Sequence, residues 1–196
     1  MATILIRTIV AGTTATQCCA TWVTPQIFGR YSYDFVVVGE QNRMMRSDED
    51  RNENYFGFGV PIYAPGDGVV VEARGNQPDN RQFDMEEIKA NQNSDFGNYI
   101  IIDHGGGYYS LLGHLRHESV RVRLGDRVKA GQEVAAMGAS GSSLFPHLHY
   151  QLMNGYRRGV EGVPSYFDGT VKLRGAARLP VNGSSIDSGD IVLTNQ

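Results

Sequence analysis

Short apolar runs, each bounded by glycine, proline, amide or charged residues, follow one another along most of the chain. Runs of this length that are rich in β-branched and aromatic residues predict strands joined by turns. The predicted strands are Thr3–Val10, Tyr31–Val38, Val60–Ala64, Val69–Ala73, Tyr99–Asp103, Tyr108–Leu112, Val120–Val122, Val128, Glu133–Met137 and His147–Met153. Between the third and the fourth of them, Pro65–Gly68 supplies the residue types that a tight turn requires.

Polar segments separate these strands and predict loop insertions. Gln41–Asn54 is charged and rich in amides, and Asn76–Asp95 is similar but is compatible with a short helix at Met85–Ala90. Gly138–Pro146 predicts a loop of small residues, and Asn154–Gln196 has only scattered apolar residues and turn signals.

The whole pattern predicts an all-β fold, namely a two-sheet antiparallel β-sandwich or open barrel with loop insertions. A length of 196 residues is sufficient for one hydrophobic core. We therefore predict a single domain over residues 1–196, with its core at about residues 31–152 and a C-terminal extension at residues 154–196.

Composition and charge argue against several classes of protein. Hydrophobic residues make up 41% of the chain and charged residues 20%, as in an ordinary globular protein. The formal net charge is −3, and acidic side chains interrupt the richest group of basic residues, at residues 116–129. We therefore predict a solvated surface there and no nucleic-acid partner. No apolar stretch is long enough to predict a transmembrane segment.

The N-terminal residues include the two cysteines of the chain and the segment in which a signal peptide would lie. Cys18 and Cys19 are adjacent, and sequence neighbours rarely reach disulfide geometry. Small buried side chains explain the two cysteines better than a redox or metal-binding role. Met1–Gly12 is mildly apolar, but it contains Arg7 and has no cationic lead-in, so it does not predict a signal peptide. Either the protein stays inside the cell or its natural N-terminus is missing.

Two histidines on one predicted strand are candidates for chemistry. His147 and His149 are two residues apart, so the alternation of a strand directs both imidazoles to one face. Both can hold a metal ion, or one can hold it while the other transfers protons. A strand with two exposed histidines explains the pattern about as well.

Asp34 and His114 are the other candidates. Asp34 lies in an apolar strand, and a buried carboxylate there needs a partner such as a metal ion or an arginine. His114 ends an apolar strand, where a lone histidine is more often structural. His104 and His117 lie beside glycines and charged residues, and we interpret both as turn or surface residues.

Eight segments of the chain, in order, resemble the lysostaphin-type zinc endopeptidases, which are bacterial enzymes that cut peptide bonds in peptidoglycan. The segments are Tyr33–Phe35, Gly59–Val70, Gly97–His104, Tyr108–Leu115, Val122–Val128, Gly131–Ala135, Gly138–Ser143 and Pro146–His149. The resemblance covers roughly residues 31–152. It implies the two-sheet fold of that family, the duplicated hybrid motif, with the site in a groove.

The resemblance also implies an activity and the residues that carry it out. In the family, one zinc ion is bound by a histidine, by an aspartate four positions later, and by the second histidine of a His-x-His motif. Carried over, Asp34 and His149 are zinc ligands, and His114 and His147 are the catalytic pair. The implied substrate is a peptidoglycan peptide or another peptide, and the implied location is the periplasm, the cell wall or the medium.

The chain departs from the family pattern at the first zinc ligand. Arg30 stands four positions before Asp34, and a guanidinium has no lone pair for a metal. Cys18 or Cys19 could replace the histidine, or zinc could bind through two protein ligands and extra waters. Alternatively, Arg30 pairs with Asp34, and the domain is catalytically degenerate and serves as a peptidoglycan-binding or regulatory module. A phosphocarrier of the related sugar-transport fold also pairs two histidines, but the segment around Asp34 favours the peptidases.

Overall fold

The computed structural model describes residues 7–11, 31–39, 42–82, 84–90, 92–157, 160–187 and 189–194. The strands in these ranges are β1 (Arg7–Ala11), β2 (Tyr33–Val38), β3 (Pro61–Tyr63), β4 (Gly68–Arg74), β5 (Tyr99–Asp103), β6 (Tyr109–Gly113), β7 (Arg127–Val128), β8 (Glu133–Ala136), β9 (Leu148–Met153), β10 (Gly162–Val163), β11 (Phe167–Arg174), β12 (Ala177–Ser184) and β13 (Ile191–Thr194). One α-helix, α1 (Met85–Ala90), and two 3₁₀ helices, Asn52–Asn54 and Gln92–Phe96, complete the elements of these ranges. None of the described helices has the length and hydropathy needed to cross a membrane.

Two antiparallel sheets make up the fold. The large sheet has the strand order β12-β11-β13-β1-β2-β9-β6-β5-β4-β7, with β10 beside β9, and β3 pairs with β8 in the small sheet. Within the described ranges the two end strands of the large sheet do not pair with each other, so the sheet is open. The predicted all-β, two-sheet antiparallel fold is confirmed.

The hydrophobic core combines side chains of both sheets. Strand β5 is buried on both faces, because Ile100 and Ile102 belong to the main core and Ile101 to a smaller cluster on the other face. Val134 of β8 joins the main core from the small sheet. Burial of each such side chain stabilises the fold by about 1.5–3 kcal/mol, so the central strands that carry the site are held firmly.

The short helix predicted inside the polar insertion is confirmed, with the predicted bounds Met85–Ala90. Asp84 begins it, since its Oδ1 accepts hydrogen bonds from the backbone N–H groups of Glu86, at 2.8 Å, and Glu87, at 3.3 Å. A carboxylate at this position satisfies N–H groups that have no partner inside the helix.

The predicted strand at Val120–Val122 is wrong. The segment has no regular strand pairing. A single backbone hydrogen bond, from Arg121 N–H to the carbonyl oxygen of Val134, links it to β8. Val122 is nevertheless buried in the main core. The alternation of apolar residues therefore reflects burial here and not strand pairing.

Four strands of the C-terminal tail, β10 to β13, were missed by the sequence pattern. Most side chains of β12 are exposed, so its alternation of apolar and polar residues is weak. Ile186 and Val192 of the tail belong to the main core. Strand β13 pairs with β1, and β1 pairs with β2, so the tail extends the large sheet and β1 separates it from the strand of Asp34. Cys18, Cys19, Arg30 and the first residues of the strand predicted at Thr3–Val10 lie outside the described ranges.

Candidate active site

Strand register places Asp34 directly opposite His149. The two residues are partners in the antiparallel pairing of β2 with β9, and side chains of opposite residues on one face lie side by side. Oδ1 of Asp34 is 2.9 Å from Nδ1 of His149. On the other side of β9, Gly113 is opposite His149, which brings the residue after Gly113, His114, to the same end of the sheet.

His147 lies immediately before β9 and on the same side of the sheet as Asp34. Its Nε2 is 3.5 Å from Oδ1 of Asp34. Its Nδ1–H donates to the carbonyl oxygen of Phe145 at 2.8 Å and lies 3.3 Å from Oγ of Ser143. The side chains of His147 and Asp34 are 10% and 36% exposed, so the cluster reaches solvent mainly at the carboxylate.

His114 joins the cluster from the end of β6. Its backbone is left-handed, with φ of 56°, a conformation that costs an ordinary residue about 1–2 kcal/mol. Its backbone N–H donates to the carbonyl oxygen of Phe96 at 2.8 Å, and Nδ1–H donates to that of Ser140 at 2.9 Å. The ring centroids of His114 and His147 are 4.6 Å apart. The structure thus brings together all four residues that the sequence singled out.

The four side chains set one another's protonation. Burial opposes ionisation of Asp34, but the hydrogen bond and charge of His149 outweigh it and lower the carboxyl pKa to about 2. Burial lowers the pKa of His149, but its bond to Asp34 more than compensates, so that pKa is raised. Burial, with the charge of neighbouring imidazoles, lowers the pKa of His114 far below its usual value, and burial lowers that of His147. Asp34 is therefore ionised at neutral pH, while His114 and His147 are neutral.

The small-residue loop Gly138–Pro146 fixes the tautomers of two histidines. The carbonyl oxygens of Ser140 and Phe145, both in this loop, accept the Nδ1–H of His114 and of His147. A neutral imidazole has one N–H, so Nε2 of each ring carries a lone pair. The sequence predicted only a loop of small residues here, and hydrogen bonding to its backbone is not visible in the residue types.

Two further residues contact the cluster and were not singled out by the sequence. The ring of Phe96 stacks on that of His149 with a centroid distance of 4.5 Å and meets His114 edge-on at 6.0 Å. Oε1 of Gln151 is 3.0 Å from Nε2 of His149. Strand alternation could have identified Gln151, which is two residues after His149. Phe96 borders the polar insertion, and no pattern indicates its position.

The two polar insertions brace the small-residue loop from outside. The carboxylate of Asp79 accepts the backbone N–H groups of Ala139, at 2.8 Å, and His117, at 2.9 Å. The backbone carbonyl oxygen of Asp79 accepts Nδ2–H of Asn52 at 2.7 Å. This hydrogen bond links the first polar insertion to the second. Ala139 is next to Ser140, so the brace ends one residue from the carbonyl that orients a site histidine.

Asp79→Ala is expected to lower the free energy of unfolding by about 1–3 kcal/mol, because it leaves two backbone N–H groups without their acceptor. The matched control is Asp48→Ala, which removes a carboxylate that is 95% exposed and paired with Arg43. That change should alter stability by less than about 0.5 kcal/mol. Urea unfolding measures both, and equal effects of the two substitutions would contradict the bracing role.

Asp34 and His149 fit two positions of a zinc site. Donors of one tetrahedral zinc lie about 3.3 Å apart, since each bond is about 2 Å, and Oδ1 of Asp34 and Nδ1 of His149 are 2.9 Å apart. A carboxylate and an imidazole are also ligand types that zinc prefers. Within the described ranges no group of three or more His, Cys, Asp or Glu side chains could hold a metal ion. Arg30 and both cysteines lie outside those ranges.

The two remaining histidines have other hydrogen-bond partners. Nδ1 of His104 is 2.7 Å from the carbonyl oxygen of Asp67, and Nε2 is 2.8 Å from Oγ of Ser110. Nδ1 of His117 is 3.0 Å from the carbonyl oxygen of Gln77. His104 thus holds the Pro65–Gly68 turn, and His117 is an exposed loop residue.

Comparison with known sequences gives matches over about half of the chain. The sequence pattern described as Peptidase family M23 matches residues 56–164, which are more than half of the 196 residues. Peptidoglycan DD-endopeptidase ShyC of Vibrio cholerae serotype O1 is 36% identical over 106 residues, or 54% of this chain and 20% of that protein. Glycyl-glycine endopeptidase ALE-1 of Staphylococcus capitis is 34% identical over 100 residues, or 50% of this chain and 23% of that protein. The matched part thus spans about a fifth of the length of these relatives.

Solved structures give similar matches. The catalytic domain of lysostaphin from Staphylococcus simulans is 25% identical, with a TM-score of 0.44, and the match covers 68% of this chain and 74% of that one. A variant of the catalytic domain of the prophage-encoded M23 protein EnpA from Enterococcus faecalis is 21% identical, with a TM-score of 0.49. That match covers 84% of this chain and 91% of the other.

Proposed function

Because the chain belongs to Peptidase family M23, we propose that it is a zinc-dependent metalloendopeptidase that hydrolyses peptide bonds of peptidoglycan. The observation that supports this most is the convergence of one carboxylate and three imidazoles in a single cluster, formed by Asp34, His114, His147 and His149. The names of the relatives, a peptidoglycan DD-endopeptidase and a glycyl-glycine endopeptidase, support the substrate class. Peptidoglycan lies outside the cytoplasmic membrane, so the proposed location is the periplasm, the cell wall or the medium.

In this proposal Asp34 and His149 hold one zinc ion through Oδ1 and Nδ1. When bound there, zinc supplies a Lewis acid that lowers the pKa of a water molecule toward ~7 and polarises the scissile carbonyl. Asp34 is suited to a ligand role because its pKa of about 2 keeps it ionised at neutral pH. In this structure Nδ1–H of His149 donates to the ionised carboxylate of Asp34, so a zinc ion held by both atoms would take the place of that proton.

His114 and His147 are the proposed proton-transfer pair. Each has its Nδ1–H bonded to a loop carbonyl, which leaves the lone pair on Nε2. Burial lowers the pKa of both imidazoles, so either can accept a proton from the attacking water at neutral pH. A proton on Nε2 of His147 is stabilised by Asp34, whose Oδ1 is 3.5 Å away. That proton can then pass to the leaving amine.

A second candidate function is a catalytically degenerate module that binds peptidoglycan or has a regulatory role. Two observations favour it. In the described part of the chain no set of three suitable side chains could hold a metal ion. In addition, Arg30 occupies the position of the family's first zinc ligand, whereas catalytic zinc sites almost always have three protein ligands.

Metal content and peptidoglycan cleavage together test the proposal. Purified protein is equilibrated with zinc, free metal is removed, and bound zinc is measured alongside the release of fragments from cross-linked peptidoglycan. The metallopeptidase proposal expects bound zinc and cleaved cross-links. Absence of both at millimolar zinc would refute it and leave the binding or regulatory module.

Arg30→His is expected to strengthen zinc binding by at least about 100-fold, because it supplies a metal ligand. Loss of a hydrogen-bond partner of a ligand alone already changes metal affinity by about 10–100-fold. The matched control is Arg30→Gln, which removes the guanidinium without adding an imidazole. Titration with a chromophoric chelator measures both affinities. If Arg30→Gln strengthens binding equally, the charge of Arg30 and not the missing imidazole is what weakens the site.

A further inference from the structure

Gln151 is a polar side chain buried completely in the middle of strand β9. It is 0% exposed and pairs across the sheet with Leu111, which is also fully buried. The neighbouring cluster on this face is apolar and includes Phe96 and Ile101. Burial of an amide in such surroundings is costly unless its hydrogen bonds are made.

Only the oxygen end of the Gln151 amide has a hydrogen-bond partner among the described residues. Oε1 is 3.0 Å from Nε2 of His149. The amide nitrogen, in contrast, has no hydrogen-bond partner among the residues that the structure describes. A fully buried amide with half of its hydrogen bonds unmade does little for stability, so its contact with the histidine needs another explanation.

The orientation of the ring supplies that explanation. His149 presents Nδ1 to Asp34 and Nε2 to Gln151, so its two nitrogens face different partners. In this structure Nδ1–H of His149 donates to the ionised carboxylate of Asp34. For Nδ1 to offer a lone pair to a cation, that proton must leave while the other stays on Nε2, where Oε1 of Gln151 is placed to accept it. A ligating imidazole usually donates its other N–H to such an acceptor, which fixes both its tautomer and its orientation.

We propose that Gln151 is a positioning residue that accepts Nε2–H of His149 and so holds Nδ1 toward Asp34 and a bound zinc ion. The part that concerns zinc rests on the proposed function. The part that concerns the orientation of the ring does not, because it depends only on the contact between Gln151 and His149.

Two variants of Gln151 separate hydrogen bonding from packing. Gln151→Met keeps the length and most of the volume but removes the amide oxygen. Gln151→Glu keeps an acceptor at the same place.

With Zn²⁺ alone as the probe, in competition with a chromophoric chelator, Gln151→Met is expected to weaken zinc binding by about 10–100-fold. Gln151→Glu should stay within about threefold of the parent. Ser110→Ala is the control, since Ser110 is as buried on the adjacent strand but bonds His104.

A nuclear magnetic resonance readout reports on the ring with or without metal. In the parent and in Gln151→Glu, the Nε2–H proton of His149 should give a downfield signal that is protected from exchange. In Gln151→Met the signal should move upfield or disappear. An unchanged signal would overturn the positioning role, even if the chain binds no zinc and the proposed function has failed.

The zinc titration separates the two proposals further. If the parent binds zinc and Gln151→Met binds it equally well, the inference about Gln151 is wrong and the proposed function stands. If Gln151→Met does not fold, Gln151→Glu decides, because loss of affinity in a folded variant that keeps the acceptor would also overturn the inference.

Discussion

His149→Ala is expected to abolish measurable zinc binding and, with it, hydrolysis of cross-linked peptidoglycan. The substitution removes Nδ1, which is 2.9 Å from Oδ1 of Asp34 and is the only imidazole donor assigned to the metal. Loss of a ligand should exceed the 10–100-fold that loss of a ligand's hydrogen-bond partner costs. Isothermal titration with Zn²⁺ measures the affinity, and fragment release from peptidoglycan measures the activity.

A companion variant and a control make this result interpretable. His149→Ala leaves a space beneath Phe96, whose ring stacks on His149 at 4.5 Å, and removes the partner of Asp34. His149→Gln fills more of that space and keeps an N–H donor for the carboxylate, so it should fold and still bind zinc poorly. His117→Ala, at an exposed histidine outside the cluster, should change neither quantity. Parent-like zinc affinity in His149→Gln would remove His149 from the metal site.

The pairing of Asp34 with His149 could be predicted only in part from the sequence. Alternation along an apolar strand indicated which face each side chain occupies, and the order of the motifs indicated that the two belong to one site. The direct opposition of residues 115 positions apart depends on the register of β2 with β9. Register is fixed by packing of the whole sheet, which residue types along one strand do not determine.

The tautomers of His114 and His147 could not be predicted from the sequence either. They depend on two backbone carbonyls, those of Ser140 and Phe145, which accept the Nδ1–H of His114 and of His147. Every residue has a carbonyl, so the sequence does not indicate which ones point at a ring. The left-handed backbone of His114 is hidden for the same reason, since it is imposed by the loop contacts and not by a glycine.

The long-range contacts of the polar insertions and the strands of the C-terminal tail could not be predicted from the sequence pattern. Asn76–Asp95 was interpreted as an insertion, and its helix was predicted correctly, but the bonds of Asp79 that brace the site loop join distant segments. The tail gave weak alternation because β12 is exposed on most of its length. Its strand β13 reaches β2 through β1, so Asp34 lies on a strand flanked by partners on both sides.

His114→Asn is expected to reduce peptidoglycan hydrolysis by about 10²–10⁴-fold, the usual contribution of a positioned proton-transfer group, while zinc affinity stays at the parent value. The Nδ1–H of His114 is bonded to the carbonyl oxygen of Ser140, so the ring acts through Nε2. Asparagine is chosen because residue 114 has φ of 56°, and asparagine tolerates this conformation better than alanine does. The measurement pairs initial rates of fragment release with Zn²⁺ titration.

His114→Ala tests the same role with added backbone strain. It should lose as much activity as His114→Asn but unfold more easily, by about 1 kcal/mol, because the left-handed conformation penalises a Cβ without a polar side chain. If activity tracked stability across the two variants, the histidine would be structural. If His114→Asn kept the turnover of the parent, proton transfer would have to run through His147 alone, whose Nε2 faces Asp34 at 3.5 Å. Loss of zinc binding in His114→Asn would instead make the residue a ligand, and the division of the cluster into a metal pair and a proton-transfer pair would be wrong.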